Sequence, residues 1–463
     1  MAGGVCLRRR WGFPSSVTFP SLAPCLTGSS RPWPPSTARS CSCAWAGCPP
    51  WWPPPRPRHR REVMKTRDLA FASRPRMRMA ERLVYGRDMA FVPYGEYWRQ
   101  ARRVCVLHLL SHRRVLSFRR LREQEAAAMV DRVRASPGDA VNVTALIISY
   151  TNGVISRAAF GDEQSYGGLD GGEKLTKLFA DFEELLGTVT MGDLVPWLAW
   201  VDTLIGLDAR AARTSAQMDA LLERVIADHR KRRRDRRRED DGHRDFVDVM
   251  LDVNEEADKN AGGEVMFDDV AIKAIVLARS ILFVPPLPTR HEIRAAVGDG
   301  DCVTEEHLPE LLYLKCVIKE TFRLRTPLPL LLPRETMADT ELLGYHVPAR
   351  SRVIINAWAI ARDPTAWERP EEFVPERFAG DDLTADYLLG QDFRFVPFGA
   401  GRRGCPGVGF AVPSMELALA SLLYHFDWEL PAGGPAKLEM DELNGLSVRL
   451  KATLLLVAKP WSP

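Results

Sequence analysis

The stretch that decides the fold reads Phe398-Gly399-Ala400-Gly401-Arg402-Arg403-Gly404-Cys405-Pro406-Gly407, a glycine-dense loop that carries one cysteine. It leads into an apolar segment, residues 408–426, in which Glu416 is the one acid. Because apolar residues occur on every side of the helix predicted here, we expect all of its faces to be buried. A thiol between a loop and a helix N-terminus faces free amide donors and the positive end of the helix dipole, which favour a thiolate.

A thiolate in such a loop is suited to bind heme iron, because it is a strong axial ligand that favours O–O bond cleavage. Gly401, Gly404 and Gly407 would let the backbone turn tightly and lie close to a flat macrocycle. Arg403 is a candidate partner for a heme propionate. The alternative is that Cys405 is a buried small hydrophobic residue, the commoner role of a lone cysteine. Ten residues of this kind rarely arise for packing alone, which favours the heme ligand.

The order Phe-x-x-Gly-x-Arg-x-Cys-x-Gly resembles the heme-binding signature of the heme-thiolate monooxygenases, the cytochrome P-450 family. Its positions here are Phe398, Gly401, Arg403, Cys405 and Gly407. The resemblance implies a truncated cytochrome P-450 fold, mainly α with small β-sheets, that holds heme b (iron protoporphyrin IX) between a distal and a proximal helix. It also implies that Cys405 is the axial ligand of the iron and that the other four residues bind the cofactor.

A second candidate cofactor contact lies in the segment 93–103, which predicts a helix. Trp98 and Arg102 are four residues apart and therefore share a face. An indole N–H beside a guanidinium makes a donor pair suited to a carboxylate such as a heme propionate. The alternative is an amphipathic helix with ordinary surface arginines. By resemblance, Arg334 is a further propionate partner.

The segment 307–326 predicts a helix that is apolar nearly all round, so the pair Glu320 and Arg323 is expected to be buried. A buried ion pair is tolerable only with further hydrogen bonds. The family resemblance supplies a third partner, Arg377, in a Glu320–Arg323–Arg377 cluster that braces the cysteine loop. The alternative is an exposed i,i+3 pair worth a few tenths of a kcal/mol. Short strands are predicted over 340–347 and 352–358.

The segment 278–290 does not fit the family pattern. Residues 267–277 resemble the start of the family's long central helix, which carries an acid and a threonine beside the oxygen site. Here the chain continues with three prolines in four residues, which cannot extend a helix. Ser280 is the one hydroxyl near the expected place, and no acid accompanies it. We therefore assign no catalytic residue and expect a disrupted distal side.

Length and composition are those of a globular protein with an unusual N-terminus. The chain has 463 residues, and residues 1–61 contain nine arginines, twelve prolines and no acid. With +9 in this segment, an overall charge of +3 leaves −6 elsewhere, which gives no indication of nucleic-acid binding. The cysteines outside it are widely spaced, as is typical of a reducing compartment. No run of 18 apolar residues occurs, so we expect no transmembrane helix.

Residues 1–61 are compatible with a polyproline recognition segment, a basic targeting peptide, or a tail that is either disordered or translated from a region that is not native coding sequence. The lack of an amphipathic period and of a signal-peptide apolar core favours the tail. We expect residues 62–463 to form a single heme-thiolate monooxygenase domain.

Two further segments have alternative interpretations. The apolar residues of 181–187 and 196–201 would line a substrate or membrane-facing entrance, although core packing is the default. The charge run at 229–241 would attract an acidic partner or, as is commoner, form a solvated helix end.

The resemblance covers residues 62–277 and 291–458, and segments such as Arg334-Glu335-Thr336 are similar to the plant microsomal members. Among these, the chain is most similar to grass members that hydroxylate indole-derived precursors of benzoxazinoids. This implies insertion of one atom of O2 into a small hydrophobic substrate. Electrons would come from NADPH through a flavoprotein reductase at the endoplasmic reticulum membrane, although no anchor is recognisable. The alternatives are a catalytically inactive heme-binding remnant and a reductase-independent heme-thiolate isomerase or dehydratase.

Overall fold

A computed structural model describes most of the chain. The described residues are 61–136, 138–161, 171–235, 244–259, 269–276, 289–298, 300–342, 344–380, 392–431, 440–443 and 445–461, together with the strand Cys43–Trp45. Apart from that strand and Arg61, the predicted tail 1–61 lies outside these residues. So does most of the proline-rich segment 278–290, including Ser280.

Helices make up most of the described chain. In chain order they are α1 (Arg78–Leu83), α2 (Glu96–Val104), α3 (His112–Ser117), α4 (Arg119–Arg134), α5 (Val143–Phe160), α6 (Gly171–Leu186), α7 (Met191–Leu194), α8 (Ala199–Leu204), α9 (Leu207–Asp235), α10 (Phe246–Lys259), α11 (Asp269–Val276), α12 (Arg290–Val297), α13 (Leu312–Leu324), α14 (Ala357–Ile360) and α15 (Val408–His425). The predicted mainly α architecture is confirmed.

The strands are short. They are β1 (Cys43–Trp45), β2 (Ala140–Asn142), β3 (Arg334–Glu335), β4 (Thr340–Leu342), β5 (Tyr345–Val347), β6 (Arg352–Ile354), β7 (Phe426–Glu429), β8 (Glu442–Leu443), β9 (Arg449–Leu450) and β10 (Leu455–Pro460). β6 lies between β1, to which it is parallel, and β3, to which it is antiparallel. β10 lies between β2 and β7 and is antiparallel to both. β4 pairs with β5, and β8 with β9.

The predicted strand 352–358 is wrong in its second half. Strand β6 ends at Ile354, and a helical turn follows because the Asn356 side chain accepts a hydrogen bond from the Ala359 N–H at 2.8 Å. An asparagine in this position caps a helix N-terminus. The strand predicted over 340–347 is a hairpin instead, since Gly344 has a φ of +80° that turns the chain.

Helix α15 is buried on all of its faces, as its composition predicts. It packs against α4, α12 and α13 within the largest hydrophobic cluster. Its 18 residues are apolar enough to cross a membrane, but 83% of them are buried inside the protein. It is therefore the central core helix, and it begins two residues after Pro406 in the cysteine loop.

A smaller hydrophobic cluster supports the other side of that loop. Val63, Met64 and Phe71 pack with Val353 of β6 and with Ala400 of the loop. The sheet and the first described segment of the chain are thereby joined to the backbone that precedes Cys405.

Candidate functional site

The cysteine loop is ordered by its own backbone hydrogen bonds. The Cys405 N–H donates to the Phe398 carbonyl at 2.9 Å, and the Gly404 N–H donates to the Gly401 carbonyl at 2.9 Å. Gly407 caps α15, and its amide forms a hydrogen bond with the Cys405 thiol. The thiol is therefore held at the start of the core helix.

The Cys405 thiol is free and has accessible surface. The protein around it nevertheless raises its pKa, mainly by removing it from water, while the Gly407 amide and the Arg102 guanidinium act to lower it. The removal from water outweighs both favourable contacts in the protein alone, and a thiolate bound to iron stays a prediction. A metal ion at the sulfur deprotonates a thiol outright, so the site fits a metal-bound cysteine better than a free nucleophile.

Of the three glycines of the loop that were predicted to allow a tight turn, Gly401 has a conformation that requires glycine. Gly401 has a φ of +70°, and a Cβ there would lie 2.2 Å from the Met64 carbonyl oxygen and 2.8 Å from Oδ1 of Asp68. Glycine is thus required at position 401 by the contact with protein atoms, and the predicted approach to a macrocycle stays a prediction. Gly404 and Gly407 have φ values of −59° and −86°, which do not require glycine.

Trp98 and Arg102 share a face of α2, as predicted, but only one of them offers a donor. The Trp98 indole N–H donates to the Met89 carbonyl at 3.0 Å. The indole N–H, which is the only polar hydrogen of this side chain, is thus bonded to the protein, and its contact with a propionate stays a prediction. The Trp98 ring packs under two guanidiniums, those of Arg102 at 5.6 Å and Arg403 at 4.3 Å.

Arg102 is the exception among the arginines of the site. In the described part of the chain, no oxygen accepts a hydrogen bond from its guanidinium. Burial lowers its pKa, while Cys405 and Asp68 act in the opposite direction. A half-buried guanidinium without an acceptor, close to a free thiol, indicates a place for an anionic group of a ligand.

Arg334 and Arg403 are engaged with the protein. Arg403 donates to the carbonyl oxygens of Ala72 at 2.6 Å and Val92 at 2.8 Å. Burial, with Arg334 nearby, lowers its pKa to about 9. Arg334 donates to the Ala400 carbonyl at 2.9 Å. Both residues hold the walls of the site, and their contact with a propionate stays a prediction.

The charges of this region favour a dianionic ligand. Four arginines interact with one another here: Arg74, Arg102, Arg334 and Arg403. Two carboxylates lie among them, Asp68 and Asp88. The arginines outnumber the carboxylates, and this excess of positive charge complements the two propionates of a heme. Together with the free thiol, these residues fit heme b.

Sequence reasoning assigned no role to Arg74. Its guanidinium donates to the carbonyl oxygens of Ala90, Leu332 and Pro333 at 3.0, 2.6 and 2.8 Å. It thus joins the segment before α2 to the segment before β3. Its acceptors are backbone atoms up to 259 residues away, and no local pattern indicates them.

The structure brings Glu320, Arg323 and Arg377 together. Arg323 forms a bidentate pair with Glu320 at 2.7 and 2.8 Å, and Arg377 donates to the same carboxylate at 3.1 Å. The Val374 N–H donates to it as well, at 2.8 Å. Glu320 and Arg323 are fully buried. The alternative of an exposed pair is therefore wrong.

An aromatic contact connects α13 with the cysteine loop, and a tryptophan packs against the guanidiniums of the cluster. Phe322 of α13 packs edge-on against Phe398 at 5.3 Å, so Phe398 joins the loop to α13. The guanidiniums of Arg323 and Arg377 lie 5.4 and 6.0 Å from the ring of Trp367. Sequence reasoning did not single out Trp367.

The apolar segment 196–201 lies at the surface, so core packing is the wrong interpretation there. Trp197 and Trp200 are 69% and 57% exposed. They belong to an apolar surface between α6 and α9, which we call the 189–205 surface. Its exposed members are Val189, Leu194, Trp197, Trp200, Leu204 and Ile205.

The predicted distal residues lie outside the described chain. Helix α11 ends at Val276, and the next described residue is Thr289, before α12. The absence of a distal acid and threonine thus stays a conclusion from sequence.

Comparison with known proteins identifies the family. The sequence model described as cytochrome P450 matches residues 56–278 and 289–457, and the match is interrupted within the segment that departs from the family pattern. The chain is 43% identical over 417 residues to cytochrome P450 71A1 of Persea americana, covering 86% of this chain and 82% of that protein. It is 39% identical over 418 residues to (+)-menthofuran synthase of Mentha piperita, with coverage of 86% and 82%.

Comparison with solved structures agrees with the family match. A zebrafish cytochrome P450 solved with progesterone superimposes with a TM-score of 0.70 at 22% identity, covering 88% of this chain and 92% of that one. At this identity the likeness shows the fold alone. With the family match over most of the chain and the cysteine loop described above, the conclusion follows that the chain belongs to the cytochrome P450 family, whose cofactor is heme b.

Proposed function

We propose that this chain is a heme-thiolate monooxygenase that inserts one atom of O2 into a small hydrophobic substrate of plant secondary metabolism. The observation that carries the proposal is the free Cys405 thiol beside the Arg102 guanidinium, which lacks an acceptor among the described residues. The similarity to plant relatives such as (+)-menthofuran synthase supports secondary metabolism as the setting.

Each residue of the site has a distinct role in this proposal. Cys405 ligates the iron, and Arg102, with Arg334 and Arg403 behind it, neutralises the propionates. Trp98 supports two of these guanidiniums with its ring. When bound, a thiolate-ligated heme supplies reductive activation of O2. The Glu320–Arg323–Arg377 cluster keeps α13 against the cysteine loop.

The similarity to the family supports a class of substrate and an electron donor for this proposal. The substrate is apolar and, by similarity to the indole-hydroxylating grass members, indole-derived. The electron donor is an NADPH-dependent flavoprotein reductase.

The 189–205 surface supports a location at the endoplasmic reticulum membrane. Exposed apolar residues that form a contiguous patch mark interaction surfaces, and tryptophan favours the lipid headgroup region. We propose that this surface rests on the membrane and presents the site to apolar substrates.

A second candidate is a heme-binding protein without oxygenase turnover. It is favoured by the sequence of 278–290, which contains no acid, and by the interruption of the family match between residues 278 and 289. General acid catalysis contributes about 10²–10⁴-fold to a rate. Losing it would leave heme binding intact. A reductase-independent isomerase or dehydratase would also be compatible with this sequence.

The role of Cys405 as the ligand of the heme iron is tested by the spectrum of the reduced, carbon-monoxide-bound protein. We expect a thiolate-type Soret shift that is lost in Cys405→Ala and kept in Cys302→Ala, a control at an exposed free cysteine. Absence of the shift in the wild-type protein, or its persistence in Cys405→Ala, contradicts the proposal.

Turnover separates the candidate functions. With reductase, NADPH and indole, a monooxygenase yields an oxygenated product. A protein that binds heme but yields no product with any small apolar substrate is the inactive form. Conversion of a peroxide substrate without NADPH indicates the isomerase or dehydratase.

A further inference from the structure

Asp68 lies 334 residues before Arg402 in the sequence and contacts it directly. Its side chain is largely buried, just after a π-helical turn, Glu62–Thr66. Oδ2 of Asp68 accepts the backbone N–H of Arg402 at 2.9 Å. This backbone amide belongs to the cysteine loop, three residues before Cys405.

A second contact reaches the same loop through Arg334. One guanidinium nitrogen of Arg334 donates to Oδ1 of Asp68 at 3.3 Å, and another donates to the Ala400 carbonyl at 2.9 Å. The loop backbone is therefore held at Ala400 by a donor and at Arg402 by an acceptor. Because the donor and the acceptor also pair with each other, the three contacts form a closed clamp.

Gly401, between the two held positions, shows how tightly the clamp fits. A Cβ at Gly401 would lie 2.8 Å from Oδ1 of Asp68, inside van der Waals contact. The carboxylate thus lies directly against the loop backbone. Gly401 also contacts Gly404, because the Gly404 N–H donates to the Gly401 carbonyl at 2.9 Å.

We propose that Asp68 is a positioning residue for the cysteine loop: it fixes the backbone at Ala400–Arg402 and thereby the direction in which Cys405 presents its sulfur. The inference rests on the proposed heme-thiolate function and adds a residue to it. If the backbone rotated at Gly401, the hydrogen bond between Gly401 and Gly404 would move Gly404 and with it the neighbouring Cys405. Asp68 also provides the counter-charge for the buried Arg334.

The test uses the full-length holoprotein and two variants. Asp68→Ala removes the acceptor and the charge, while Asp68→Asn keeps an oxygen for the Arg402 N–H but loses the charge that pairs with Arg334. The first readout is the rate of heme transfer to excess apomyoglobin. The second is the fraction of the reduced, carbon-monoxide-bound protein that shows the thiolate-type Soret band.

We expect Asp68→Ala to release heme about tenfold faster than wild type or more, the effect of losing a hydrogen bond to a charged group. The thiolate-type fraction should fall, and Asp68→Asn should be intermediate in both readouts. The matched control is Asp202→Asn. Asp202 is also buried, with 1% of its surface exposed against 8% for Asp68. It accepts two backbone N–H groups at 2.8 Å, but within the helices α7 and α8. It should lose stability while keeping the wild-type spectrum and heme-transfer rate.

The outcomes separate failure of the proposed heme-thiolate function from failure of the role of Asp68. A wild-type protein that binds no heme through a thiolate overturns the proposed function itself. If the wild-type protein binds heme through a thiolate and the Asp68 variants match it in heme transfer and spectrum, only the role of Asp68 is overturned. If Asp68→Ala does not fold, Asp68→Asn decides, because a folded Asn variant with wild-type heme release contradicts the clamp.

Discussion

At the scale of the single residue, Arg102 and Arg103 differ sharply although they are neighbours in α2. Arg102 is half-buried and faces the Cys405 thiol and Asp68, whereas the side chain of Arg103 is exposed. Burying a guanidinium without an acceptor costs free energy. A ligand carboxylate that pairs with Arg102 would recover this cost.

This difference yields a matched prediction. Arg102→Gln should raise the rate of heme transfer to apomyoglobin about tenfold or more, because a charge-assisted hydrogen bond to the ligand is lost. Arg103→Gln should transfer heme at the wild-type rate. Equal rates for the two variants would contradict the assignment of Arg102.

Glu416 allows a prediction about pH. Burial in α15 raises its pKa to about 7 from a usual value of 4.5. Because the folded state binds the proton more tightly than the unfolded state, this group adds stability below pH 4.5 that is lost as the pH rises to 7. In urea unfolding, the wild type should lose on the order of 3 kcal/mol relative to Glu416→Gln between pH 4.5 and 8. Parallel stability profiles would contradict the raised pKa.

At the scale of the element, the Glu320–Arg323–Arg377 cluster fixes α13 to the chain around Pro375. Besides Glu320, Arg323 donates to the backbone carbonyls of Ala361, Pro370 and Glu372 at 2.7–2.9 Å. A helix that is apolar nearly all round can place an ion pair in the core only when such further acceptors are present.

Removing the carboxylate should therefore be costly. We expect Glu320→Gln to lower the free energy of unfolding by about 3–5 kcal/mol, because the buried Arg323 and the partly buried Arg377 lose their counter-charge. Glu372→Gln removes an exposed partner of Arg369 in the same segment and should have no measurable effect. The measurement is urea unfolding followed by far-UV circular dichroism. Similar losses in both variants would mean that the cluster behaves as a surface pair.

At the scale of the whole molecule, apolar residues are buried around the cysteine loop but exposed on the 189–205 surface. The loop and α15 put apolar residues inside the protein, whereas the 189–205 surface leaves two tryptophans and several aliphatic side chains in contact with solvent. Such a patch is costly unless something covers it. A membrane surface would do so, with the tryptophans at headgroup level.

This proposal predicts weaker membrane binding when the patch is made polar. In flotation with phosphatidylcholine vesicles, the double variant Trp197→Ser, Leu204→Ser should partition several-fold less than wild type. Leu116→Ser is the control, at an exposed leucine of α3 outside the patch. Equal partition of all three proteins would contradict membrane contact at this surface.

The sequence by itself determined the features that depend on short spacings. The cysteine loop, the buried α15 and the i,i+3 pair of Glu320 and Arg323 all follow from local pattern, because helical periodicity decides which side chains share a face. The family resemblance then supplied Arg377 and the cofactor.

Only the tertiary structure decided the contacts between distant segments. The Trp98 indole N–H donates to the Met89 carbonyl, Gly401 lies against Met64 and Asp68, and Arg74 joins the same cluster of arginines. Several of these partners are about 260 to 330 residues apart in sequence. No local preference specifies such pairs, because they form only where packed elements bring their backbones within hydrogen-bond distance. The chain pattern thus determined which residues carry the chemistry, and the packing of the fold decided what each of them touches.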